Sequence, residues 1–141
     1  MPQIWLQASQ LKAQHIIVSN GSECGIMISE QSVAELTTST IAYHKMANVQ
    51  IMNESRVNFD QCQIHSCEGI GLQVKGTSIA NFSKTNISNH TLTQLFISDR
   101  SIVSMNETAI SKGKQVGIIA EKLSNCTIVN SIIREHANSG M

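Results

Sequence analysis

Ser32, Ser55, Ser78, Ser101 and Ser124 recur every 23 residues, and Ile41, Ile64, Ile87, Ile110 and Ile133 keep the same spacing. A fixed period of this length marks a solenoid, in which no repeat buries its apolar face alone and each stacks on its neighbours. From Cys24 onward the register is unbroken. Within a repeat, apolar residues alternate with polar ones, which is the period of a strand and not of a helix. Three inward pairs recur. In one repeat they are Val49 with Ile51, Val57 with Phe59 and Cys62 with Ile64; in the next they are Leu72 with Val74, Ala80 with Phe82 and Thr85 with Ile87. The chain therefore reads as all-β, a parallel β-solenoid of about six 23-residue coils with three short strands per coil. Like residues stack on like along its ladders.

Two further columns carry expectations about the corners. The serine column, Ser32 to Ser124, falls at the bend into the second strand, where a hydroxyl can bond the backbone or the next serine. Gly25, Gly71, Gly117 and Gly140 share a column at the entry to the first strand, where a positive φ or a tight corner is expected. The first coil departs from the pattern. Leu11 and Ile16 precede Leu36 and Ile41 by 25 residues, which predicts a two-residue insertion between Val18 and Glu23 and an atypical capping coil over 1–23. Residues 24–139 make five regular repeats, and Gly140-Met141 takes the columns of Gly25-Ile26. The chain reads as one domain, 1–141, that is a segment of a longer solenoid. Its open last rung, Gly117 to Ile133, is expected to associate end to end or to lie against another subunit.

Composition narrows the function classes. Lys and Arg number 10 and Asp and Glu 10, so net charge is zero and there is no basic footprint for nucleic acid or an anionic membrane. No apolar run approaches the roughly 18 residues of a membrane span, and the N-terminus lacks the charged and apolar regions of a signal peptide. Cys24, Cys62, Cys67 and Cys126 have no zinc-type or redox-type spacing, and free thiols point to a reducing, cytoplasmic compartment. Seven Asn-x-Ser/Thr sequons, beginning at Asn20, Asn53, Asn81, Asn86, Asn89, Asn106 and Asn125, would be glycan acceptors in a secreted protein. They are read here as turn residues, because Asn, Ser and Thr cap turns through local hydrogen bonds.

Gly69-Ile70-Gly71-Leu72-Gln73-Val74, followed by Ser78-Ile79-Ala80-Asn81-Phe82-Ser83-Lys84-Thr85-Asn86-Ile87-Ser88-Asn89, resembles the right-handed parallel β-helix repeat of pectate-lyase-like proteins and of carbohydrate-binding and sugar-hydrolase domains. The resemblance covers nearly the whole chain. It implies a right-handed, single-stranded β-helix, and it is weak for function, since such repeats serve lyases, epimerases, hydrolases, phage tail proteins and non-enzymatic scaffold modules.

Enzymes of this resemblance place their groups on the outer face of the first strand. That face carries Met27, Ser29, Gln50, Met52, Gln73, Lys75, Phe96, Ser98, Ile119 and Glu121 here. Glycoside hydrolysis needs two carboxylates and lyase chemistry needs an acidic metal site with a base, yet only Glu121 is acidic. The expectation is therefore a non-catalytic module without a cofactor, whose partner-binding face is Met27, Gln50, Met52, Gln73, Lys75, Phe96 and Ile119. A protein is the expected partner, and a glycan is the alternative ligand that the resemblance implies. A second apolar stripe, Val33, Ile79 and Ile102, faces outward from the second strand. One column, His44, Cys67, His90 and His136, holds zinc-type residues, but stacked side chains point the same way instead of converging on one ion.

Overall fold

The computed structural model describes residues 1–137 and contains eighteen strands, three to a coil. The first coil consists of β1 (Ile4–Gln7), β2 (Gln10–Gln14) and β3 (Ile17–Ser19), and the second of β4 (Cys24–Ser29), β5 (Val33–Thr37) and β6 (Thr40–Ala42). The third coil has β7 (Ala47–Ile51), β8 (Arg56–Asp60) and β9 (Gln63–His65), and the fourth β10 (Ile70–Val74), β11 (Ile79–Ser83) and β12 (Asn86–Ser88). The fifth has β13 (Leu95–Ile97), β14 (Ile102–Asn106) and β15 (Ala109–Gly113), and the sixth β16 (Ile118–Ala120), β17 (Asn125–Val129) and β18 (Ile132–His136). Equivalent strands pair in parallel into three six-stranded sheets that run the length of the molecule. Gly140 and Met141, read from sequence as the start of another coil, lie outside the described residues.

Register follows the sequence period. Val49 pairs with Leu72 and Leu72 with Leu95; Val57 pairs with Ala80, and Ile64 with Ile87. The inward pairs form one continuous apolar core, in which Ile26, Val49, Leu72 and Leu95 have no exposed surface. Small residues face large ones across the second sheet. Ala80 beside Phe82 and Val57 beside Phe59 let the two rings lie parallel, with centroids 5.0 Å apart and 3° between planes.

The first coil corrects the expected offset of 25. Leu11 pairs with Ala34, Ala13 with Leu36 and Val18 with Ile41, all at the standard 23, whereas Ile4 pairs with Ile26 at 22. The coil is thus one residue short at its first corner and has no two-residue insertion. Alternation alone cannot distinguish Leu11 from Ala13 as the partner of Leu36, since both point inward.

The corners also correct the glycine reading. Among the described residues, every non-glycine residue of positive φ falls at one of three corner positions, which in the last two coils the extended strands β15 and β18 run through. The second corner uses one left-handed residue per coil, His15, Thr38, Gln61, Lys84, Glu107 and Asn130, with φ between 48° and 57°. The third uses Asn20, Tyr43, Ser66, Asn89, Lys112 and Glu135, with φ between 56° and 63°. From the second coil on, the first corner uses two in succession, such as Asn53-Glu54 and Asp99-Arg100; the short first coil uses Ala8 alone. The only positive-φ glycine described is Gly76, in this first-corner column. Gly25 and Gly71 are glycines for want of space instead.

Backbone donors that the corners leave unpaired are met by hydroxyls one coil along. The N–H of Ser32 donates to Ser55 Oγ (3.2 Å), that of Ser55 to Ser78 Oγ (3.1 Å) and that of Ser78 to Ser101 Oγ (3.2 Å). At the second corner the N–H of Cys62 donates to Thr85 Oγ1 and that of Thr108 to Ser131 Oγ. Buried orphan N–H groups are costly, which explains the hydroxyl in each of these columns. The sequons divide between roles: Asn20, Asn53 and Asn89 take positive φ at corners, while Asn81, Asn86, Asn106 and Asn125 lie in strands. Asn81 Nδ2 donates to Asn58 Oδ1 across two coils of the second sheet (2.9 Å).

Candidate functional site

The outer face of the first sheet is built by strand alternation. Ile26, Val49, Leu72 and Leu95 turn into the core, so their successors turn out. Register then aligns Trp5 with Met27, Met27 with Gln50, Gln50 with Gln73, Gln73 with Phe96 and Phe96 with Ile119. Five of the seven residues expected from sequence thus form a single column along the rod, each half-buried by its neighbours. Gln50 Nε2 donates to Gln73 Oε1 (3.2 Å), so the two amides hold the middle of the column in order. Met52 and Lys75 stand one column away, just past the ends of β7 and β10, also half-buried.

Two members assigned to this face do not lie on it. Ser29 and Ser98 are buried, and Ser29 Oγ donates to the Leu6 carbonyl (3.1 Å). Their column has begun to turn into the first corner, and a small hydroxyl there serves the backbone. One member was missed: Trp5 is half exposed and heads the column. The alternation of Ile4, Trp5 and Leu6 carried the signal, and the misplaced first-coil offset hid it. Of the second stripe, Val33 and Ile102 are exposed and Ile79 is half-buried, with Arg56 between Val33 and Ile79.

A second constellation lies inside the third corner. The histidine column is real, and every other coil fills it with a small residue: Gly21, His44, Cys67, His90, Gly113, His136. Four residues later the sequence alternates in step, with Gly25, Asn48, Gly71, Gln94 and Gly117. His44 Nε2 lies 2.7 Å from Gln3 Oε1 and its Nδ1 2.7 Å from Asn48 Oδ1, so the neutral ring donates to one of these two oxygens. Asn48 Nδ2 donates to His90 Nε2 (2.9 Å) and to the His65 carbonyl (3.0 Å). His90 Nδ1–H donates to Gln94 Oε1, whose Nε2 donates to the Ser111 carbonyl and reaches His136 Nε2 at 3.4 Å. Imidazole and amide thus alternate along the solenoid axis, and His44, Asn48, His90 and Gln94 are all buried. The glycines make room: a Cβ on Gly71 would sit 2.5 Å from the Gln94 carbonyl and 2.7 Å from the His90 ring.

Ring nitrogens engaged in this way do not converge on an ion, and among the described residues no three metal-type side chains cluster. Burial pushes His90 down to about 4, an effect that its bond to Gln94 partly offsets. Burial likewise lowers His65 and His136. The cysteines are all free, and burial, with the neighbouring Cys67, pushes Cys24 up to about 12. Burial raises the other three thiols as well, and Cys62 packs in the apolar core with Cys126 against it. Above His44 and Cys67 opens a cavity of about 600 Å³, lined also by Tyr43, Lys45 and Glu68.

A family model describing a right-handed beta helix region matches residues 3–141. The chain belongs to that family. Its three parallel sheets and 23-residue coils are the architecture the family describes, and the handedness expected from resemblance is thereby established. Compared with the curated proteins and with the solved structures, this β-helix matches none.

Proposed function

We propose that this β-helix is a non-catalytic binding module whose first-sheet face docks a protein partner. The observation that carries the reading is the uncharged column of Trp5, Met27, Gln50, Gln73, Phe96 and Ile119, held in register over six coils. Aromatic and methionine side chains are enriched where proteins meet, and a rigid flat sheet loses little entropy on docking. The flanking column adds Met52 and Lys75, and its one carboxylate, Glu121, has no acidic mate. Four unbridged thiols support a reducing, cytoplasmic setting.

Phe96→Asp combined with Met52→Asp is expected to abolish partner capture by more than tenfold while the β-type circular dichroism spectrum is unchanged. Capture that survives both substitutions removes this face from the account.

The half-exposed ring of Trp5 favours a second reading, a carbohydrate-active domain. Against it, Trp5 and Phe96 stand four rungs apart, about 19 Å at about 4.8 Å per rung, too far to stack on one sugar. A glycan array with a depolymerisation assay on acidic polysaccharides separates the readings, and tight binding of any glycan would displace the first.

A further inference from the structure

The amide-imidazole ladder has a fixed hydrogen-bond polarity. The Asn48 amide cannot turn over, because its Nδ2 is tied to the His65 carbonyl (3.0 Å), and Gln94 Nε2 is tied likewise to that of Ser111. His90 must therefore accept at Nε2 from Asn48 and donate at Nδ1 to Gln94. A proton added to Nε2 would point N–H at N–H inside a buried site, where an unpaired donor is costly. His44 is the opposite case: both its ring nitrogens face amide oxygens, so a second ring hydrogen adds a bond there and removes one at His90.

The surroundings of His90 offer no relief. Cys67 lies one coil before it in the same column, a charge on His65 would disfavour one on His90, and His136 lies beyond Gln94. Lys114 and Glu68, in the adjoining column, have exposed side chains. Among the described residues no carboxylate bonds any ring of the ladder. Besides the ladder, the third corner is packed by the edge contact of Tyr43 on His65 (centroids 5.4 Å), and its outer side borders the cavity over Tyr43 and Cys67.

We propose that the ladder is an acid-operated latch: protonation of His90 breaks the Asn48 contact and opens the third corner of the central coils, while the second sheet and its phenylalanine stack stay closed. The latch needs no partner for its action, although Asn48 stands two residues before Gln50 of the partner face.

Hydrogen exchange of the full chain, corrected for intrinsic chemistry, tests it. With His90 held at about 4 in the folded state against an ordinary 6.5, opening that frees it is favoured about 30-fold at pH 5 relative to pH 8. Segments 66–71, 89–94 and 111–113 are expected to lose protection by that factor, while 56–60, 79–83 and 102–106 keep theirs. His90→Gln, which can still accept from Asn48 and donate to Gln94, is expected to reduce the change to a few-fold. Unchanged protection at the third corner, or equal loss in the second sheet, would overturn the latch. Should that variant not fold, ring ¹⁵N shifts of the unsubstituted protein decide. His90 is expected to remain the neutral Nδ1–H tautomer down to pH 5, and titration at an ordinary value with protection intact would overturn the proposal.

Discussion

Glycine and non-glycine residues exchange their usual places in this chain. Glycine normally supplies positive φ, yet Thr38, Lys84 and Glu107 occupy the left-handed region while Gly25 and Gly71 do not. An L-residue there costs about 1–2 kcal/mol, so Thr38→Gly is expected to stabilise by up to about 1 kcal/mol once glycine's extra unfolded-state entropy is subtracted. The thermal midpoint should rise by about 2–4 °C. Gly71→Ala is expected to do the reverse. Its Cβ would meet the Gln94 carbonyl at 2.5 Å, and such overpacking costs about 1–3 kcal/mol, visible as a lower urea midpoint with unchanged slope. If both substitutions moved stability the same way, the division of labour between φ and space would be wrong.

At the scale of the strand, stacking and hydroxyl columns do the specifying. Removing one ring of the Phe59 and Phe82 stack leaves a cavity in the core that rigid coils cannot close, and Phe82→Ala is expected to cost about 3–5 kcal/mol in denaturant unfolding. A cost under about 1 kcal/mol would mean that the coils collapse onto the gap. Elements of this kind were legible because alternation and the 23-residue period name the same residues. Val49, Val57 and Ile64 are found inward by either criterion, and the serine column was readable from the bend it occupies. Other features were not. The offset of 25 arose because Leu11 and Ala13 both face inward, and only backbone pairing separates them. The histidine column and the glycine column were each visible alone, but their alternation in step, His-x₃-amide against small-x₃-Gly over two coils, shows its purpose only when neighbouring coils are stacked. Trp5 was lost with the same offset.

Across the whole molecule, the ladder ties stability to pH. His90 binds its proton less readily folded than unfolded, so between 6.5 and about 4 the unfolded chain holds more protons. Stability from this group is therefore complete above about 6.5, falls as pH drops, and levels off below about 4, a loss of about 3 kcal/mol. His65 and His136 act in the same direction. Urea midpoints should hold from pH 8 to about 6.5 and then fall towards pH 4, and a midpoint that rose on acidification would contradict the buried neutral ring. The corner joins the third sheet to the first, with Asn48 in β7 two residues before Gln50 and Gln94 two residues before Phe96, so the docking column and the acid response share one sheet. The central claim, that the column headed by Trp5 is where a protein partner docks, is tested most directly by site-specific photocrosslinking. A photoreactive residue would be placed in turn at positions 27, 50, 73, 96 and 119 on the first sheet, at 58, 81 and 104 on the second, and at 63, 86 and 109 on the third. Crosslinks to a single partner confined to the first-sheet positions are the expected result; equal yields from all three sheets, or crosslinks only from the second or third, would contradict it.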